Sequence, residues 1–95
     1  MKVLILKVIL YIPYSESLKD KRSVVKALKD RIWKRFRASI SETDALDDKK
    51  EAVLGIVYAS NNSKLLEKIM NQILDLIEES YPGLLHDHNY LIEHY

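Results

Sequence analysis

Lys19, Arg22, Lys26, Lys29, Trp33 and Arg37 follow one another at steps of three and four residues. At 100° per residue those steps keep all six side chains within one arc of a helix. Five cations there can neutralise phosphates, and an aromatic ring among them can stack on an unpaired base. The whole segment 19–37 has nine Lys or Arg residues against Asp20 and Asp30, a local excess of seven positive charges. The full chain carries a formal charge of only +1, so the remainder is six charges negative. Such asymmetry points to an anionic partner, and RNA, ribosomal RNA included, is the expected one. The competing account is a solvated helix face, with Trp33 at the rim of the core beneath lysine stems.

Other chemistry-bearing residues are less well arranged. His86 and His88 stand two apart, the spacing that puts two imidazoles on one strand face, and His94 follows. No third ligand stands near them in sequence, so no metal is expected. Asp44, Asp47 and Asp48 lack the glycine and the spacing of a calcium loop. Ser15 and Ser17 would need a base to become nucleophiles, and none is nominated. Glu42 and Asp44 alternate on a strand, but paired-carboxylate chemistry needs a cleft that nothing here announces. The segment Pro13–Ser17 has neither the Gly nor the Arg of a phosphate-cradling loop. No catalytic residue and no cofactor is expected. A small hydrolase or isomerase remains only as a third reading.

These residues must be held by elements that the hydrophobic periodicity defines. Val3–Ile12 alternates as a strand, with Leu4, Leu6, Val8, Leu10 and Ile12 facing the core. Pro13 ends it, and Ser15 or Ser17 can cap the helix that follows. That helix runs from about Leu18 to Phe36, with Val25, Leu28, Ile32 and Phe36 as its inner stripe. Lys21 lies near that stripe and is left off the basic face. A short strand, 38–43, and a polar hairpin loop, 44–50, lead to a third segment of strand, 52–60. Asn62 or Ser63 caps a second helix with Leu66, Ile69, Met70, Ile73 and Ile77 inward. Tyr81-Pro82-Gly83 turns the chain into a last strand, 85–95. The order βαββαβ predicts one α+β, ferredoxin-like domain over 1–95, a four-stranded antiparallel sheet with both helices on one face.

The other face of such a sheet has no cover. Val3, Ile5, Ile9 and Tyr11 project there, joined by either Val53, Val57 and Ala59 or Leu54, Ile56 and Tyr58. An apolar face of this size points to burial against a second copy, so a dimer through Val3, Ile5, Ile9 and Tyr11 is expected. The runner-up function is accordingly a protein-interaction or oligomerisation module. RNA-recognition motifs share the fold and stack bases on sheet aromatics, but EAVLGIVYAS lacks their basic-Gly-aromatic signature. With 47% apolar and 31% charged residues the chain reads as a soluble globular domain. Lys7 interrupts the apolar start, which is too short to span a bilayer and has no small-residue cleavage site after it. Cysteine is absent, which suits a reducing compartment, and a cytoplasmic location is expected.

The run Ser17-Leu18-Lys19-Asp20-Lys21-Arg22-Ser23-Val24-Val25 resembles a motif of the YlxP-like family, domain of unknown function 503, of small bacterial proteins. Glu42, Asp44 and Asp47 before the hairpin, Ala52-Val53-Leu54-Gly55-Ile56, and Ser60-Asn61 extend the resemblance over nearly the whole chain. Where the family pattern has Leu-Trp after the loop acid, this chain has Asp48-Lys49. The resemblance implies a ferredoxin-like fold, a cytoplasmic location and a gene neighbourhood rich in translation and ribosome-maturation factors, hence RNA or ribosome association. It implies no activity and no assigned functional residues.

Overall fold

Strand β1 (Lys2–Tyr11) buries Leu4, Leu6, Val8 and Leu10 completely on one side, because the two-residue period of a strand sends alternate side chains to one face. Its other side carries Val3, Ile5, Lys7, Ile9 and Tyr11. The computed structural model describes all residues, 1–95. Helix α1 spans Leu18–Phe36, β2 Ser39–Asp44, β3 Glu51–Ser60, α2 Ser63–Ser80 and β4 Leu85–His94. The sheet order is β2-β3-β1-β4 and every neighbouring pair is antiparallel. This is the ferredoxin-like βαββαβ arrangement, with β1 and β3 central and β2 and β4 at the edges.

Local chemistry sets the helix ends. Ser17 is the N-cap of α1, its hydroxyl accepting from the Asp20 amide at 3.1 Å, while the Asp20 carboxylate accepts from the Glu16 amide at 2.9 Å. Lys34 and Arg35 lie in the last turn, where the helix dipole favours cations. Arg37 ends the helix in the left-handed region at φ 56°, and its amide donates to the Trp33 carbonyl at 2.9 Å. Asn62 caps α2, accepting from the Lys64 and Leu65 amides. After α2, Gly83 takes φ 82°, a conformation L side chains rarely adopt.

The core lies between the sheet and the two helices. Val24, Val25, Leu28 and Ile32 of α1 and Leu66, Ile69, Met70, Ile73 and Ile77 of α2 pack on Leu4, Leu6, Val8, Leu10, Leu54 and Ile56. The register resolves which set of β3 faces inward. Ile5 stands opposite Val57 and Ile9 opposite Val53, so Val53, Val57 and Ala59 share the open face with β1. No helix is long and apolar enough to cross a membrane.

Candidate nucleic-acid interface

The polar side of α1 runs alongside the edge strand β2. A groove there consists of two abutting cavities of about 430 and 470 Å³ that share Lys29 and Asp30. Arg22, Val25, Lys26 and Glu42 line one cavity; Trp33, Arg37, Ser39 and Ile40 line the other. Five of the six residues picked out by spacing, Arg22, Lys26, Lys29, Trp33 and Arg37, therefore open into one groove. From Arg22 to Arg37 the helix extends about 22 Å. Lys19 is exposed one turn further toward the helix start and lines neither cavity.

These cations are not consumed by internal pairing. The one ion pair within 4.0 Å in the chain is Lys21–Glu42. Asp30 and Glu42 are the acids of the groove, and Glu42 is already engaged by Lys21. The groove therefore keeps a positive excess. Trp33 is 50% exposed. The Arg37 guanidinium carbon sits 5.2 Å from its ring centroid, a cation–π distance. Elsewhere on α1, Arg31 lies over Tyr81 and Arg35 over Phe36, so two of the remaining cations serve packing.

Lys21 is the residue whose role the spacing does not reveal. It is fully buried, and its ammonium donates to the carbonyls of Ala45 at 2.8 Å and Glu51 at 3.1 Å. It also meets Glu42 Oε2 at 2.9 Å. A lysine can be sealed this way only when its donors are all satisfied. The contacts bind the first turns of α1 to both ends of the loop that joins β2 and β3, and so hold the helix beside the edge strand. The only signal in the sequence is its place beside the apolar stripe.

Lys50 does a similar job for the Pro13–Ser17 segment, donating to the carbonyls of Pro13 and Ser15. Ser15 is buried and donates to the Ser17 carbonyl, so its hydroxyl is turned inward. The loop acids are bound to backbone as well. Asp44 accepts from the Ala45 amide, and Asp48 accepts from the amides of Lys50 and Glu51 at 2.8 and 2.9 Å. Those amides, Glu51 first, hold the Asp48 carboxyl below its ordinary range, and the nearby Lys21 charge adds a smaller pull. His86, His88 and His94 are exposed along β4, with His86 at the bulge where the register against β1 shifts. No three His, Asp or Glu side chains gather as a metal site.

The open sheet face holds the second set picked out from the sequence. Ile5 and Tyr11 are exposed, and Val3 and Ile9 half-buried.

A family model described as "Protein of unknown function (DUF503)" matches residues 3–90. "Uncharacterized protein YlxP" of Bacillus subtilis (strain 168) is 35% identical over 68 residues, covering 72% of this chain and 73% of its own length. Among solved structures, Rv0793 from Mycobacterium tuberculosis superposes with a TM-score of 0.58 at 17% identity, covering 100% of this chain and 95% of its own. The de novo designed protein LFR1 1, with ferredoxin fold, gives 0.56 at 18% identity, covering 100% and 87%. At such identities the two structures show a common fold and nothing more.

Proposed function

This chain belongs to the DUF503 family of proteins of unknown function, and we propose that it is a non-enzymatic accessory protein that binds RNA through the α1–β2 groove. Ribosomal RNA, or an assembly intermediate that exposes it, is the partner this reading favours. One observation carries it: Arg22, Lys26, Lys29 and Arg37 share one groove with a half-exposed Trp33, and none of the four lies within 4.0 Å of a carboxylate.

The groove suits a single strand better than a duplex. Stacking on Trp33 requires a base that is not already stacked and paired. Arg37 occupies one face of the indole, so a base takes the other and completes a sandwich. Lys19, Arg22, Lys26, Lys29 and Arg37 neutralise phosphates along the strand.

The test is a salt titration of binding to labelled unpaired ribosomal RNA fragments by fluorescence anisotropy. Five engaged cations give a log–log slope of about −3.5 on a single strand. Trp33 is the only Trp in the chain, so its emission reports on the groove directly. A steep slope with quenching of Trp33 is the expected result. No binding at low salt would leave the basic face as ordinary solvated surface.

A further inference from the structure

We propose that two copies of this chain associate through their open sheet faces, with β1 of each laid on β3 of the other. The pattern of side chains across the β1–β3 pair carries the inference. On this face the register sets Val3 opposite Ala59, Ile5 opposite Val57, Lys7 opposite Gly55 and Ile9 opposite Val53. In every row β1 has the larger side chain and β3 the smaller. Facing sheets pack best when large residues meet small ones. A two-fold axis parallel to the strands, between β1 and β3, achieves this in the Val3 and Ile5 rows at once; Val53 in the fourth row is already buried in its own chain, and there only the half-buried Ile9 reaches the seam. It lays Ile5 on the partner's Val57 and Lys7 on the partner's Gly55.

Charge favours this axis over one that stacks β1 on itself. Lys7 is exposed in the middle of the face and has no carboxylate within 4.0 Å in its own chain. An axis along β1 would stack the two Lys7 side chains directly on one another, whereas the axis between β1 and β3 offsets them by one strand spacing, about 4.8 Å. Like charges in direct contact oppose association. With β1 on β3, the Lys7 stem meets the Thr43 side chain, whose Cγ2 lies 2.7 Å from where a Gly55 Cβ would stand and so covers the glycine. Thr43 leans over the same glycine, its Oγ1 3.6 Å from where a Cβ would stand, and offers the arriving ammonium a hydroxyl. Ser41 pairs with Gly55 from β2 and Asn89 pairs with Lys7 from β4, so the central row is polar across its whole width. That polar row meets itself, and the apolar rows on either side do likewise.

The size of the face fits. Three strands of ten residues and β2 of six, at about 3.3 Å per residue and about 4.8 Å between strands, cover about 570 Å² in projection. As a corrugated surface this approaches the roughly 800 Å² per partner of a standard stable interface. Both helices lie on the far side of the sheet, so pairing leaves each α1–β2 groove on the outside. The proposal thus stands independently of the RNA reading.

The experiment is a charge-exchange series followed by sedimentation velocity. The wild-type chain should sediment as a dimer at micromolar concentration. Ile5→Glu alone and Val57→Lys alone should each sediment as monomers with unchanged far-ultraviolet circular dichroism, since both positions are surface-exposed, at 43% and 42%. An equimolar mixture of the two variants should recover the dimer, because the introduced carboxylate then meets the introduced ammonium across the seam. A monomeric wild type, or single variants that stay dimeric, would overturn the interface. Monomeric variants that fail to recover on mixing would overturn the β1-on-β3 arrangement. Should either charge variant lose its fold, Ile5→Cys and Val57→Cys read the same geometry in a chain that has no other cysteine. A short thiol cross-linker should then join the two variants to each other more than either to itself, and preferential self-linking would overturn the arrangement.

Discussion

Lys21 Nζ lies 2.9 Å from Glu42 Oε2, fully enclosed, at the point where helix α1 meets the edge strand β2. The same ammonium holds the carbonyls of Ala45 and Glu51. One side chain therefore joins the helix that bears the basic face to the strand that forms the other wall of the groove.

Removing the Lys21 charge alone strands Glu42 and two hairpin carbonyls. Lys21→Met should lower stability by about 3–5 kcal/mol, the usual cost of breaking a buried pair from one side. Lys21→Met with Glu42→Leu should recover a large part of that loss, since no uncompensated charge remains. Urea denaturation of the single and double variants measures both values. A single variant within about 0.5 kcal/mol of wild type would show that the cage does not hold the hairpin.

Arg22→Glu combined with Lys26→Glu should weaken RNA binding and flatten its salt dependence while leaving thermal stability unchanged. Both side chains are exposed and unpaired, so the fold does not depend on them. Anisotropy titrations at several salt concentrations give the slope. An affinity equal to wild type would move the binding site off this helix.

Trp33→Ala should cost about 1–3 kcal/mol of single-strand affinity, the range for one base–aromatic stack. Trp33→Phe should restore part of it, because a smaller ring still stacks beside Arg37. Neither change should alter the salt slope, since no phosphate contact is lost. This separates the indole from the cations in the same titration.

The β2–β3 hairpin should loosen in acid. Two amides favour the charged form of Asp48 and lower its pKa in the folded chain. The unfolded chain then binds a proton more readily. The contribution is present above the ordinary Asp range and is lost as pH falls through the depressed value. Asp48→Ala should remove this acid sensitivity and raise amide exchange at Lys50 and Glu51 at neutral pH. Hydrogen exchange at pH 7 and pH 3 reads it out.

Gly83→Ala should destabilise by about 1–2 kcal/mol through the backbone alone. Its φ is +82°, and nothing lies within 4 Å of the position a Cβ would take, so no steric clash contributes. Ala45, at φ 55°, is the converse case, and Ala45→Gly should be neutral or stabilising. Thermal melts of the two variants should shift in opposite directions, or the second not at all.

Local pattern alone determined the element order, the βαββαβ fold, the extent of α1 and the cluster of cations on one of its faces. The reason is that period, capping residues and turn residues act over a few neighbours: Ser17 and Asn62 cap helices because of the amides two and three residues on. Tertiary structure decided the rest. The set of β3 residues on the open face follows from the register against β1, because Val53, Leu54, Ile56 and Val57 are all apolar and either alternation would satisfy hydropathy. The stacking of Arg37 on Trp33 is set where Arg37 itself leaves the helix in the left-handed region, and the half-exposure of Trp33 follows from what packs beside it. The Lys21 cage draws its acceptors from residues 42, 45 and 51. Its place beside the apolar stripe sets Lys21 off the basic face, but nothing in the chain around it names the acceptors that seal it. The cage forms only when segments distant in sequence supply the carbonyls and the carboxylate that replace its hydration.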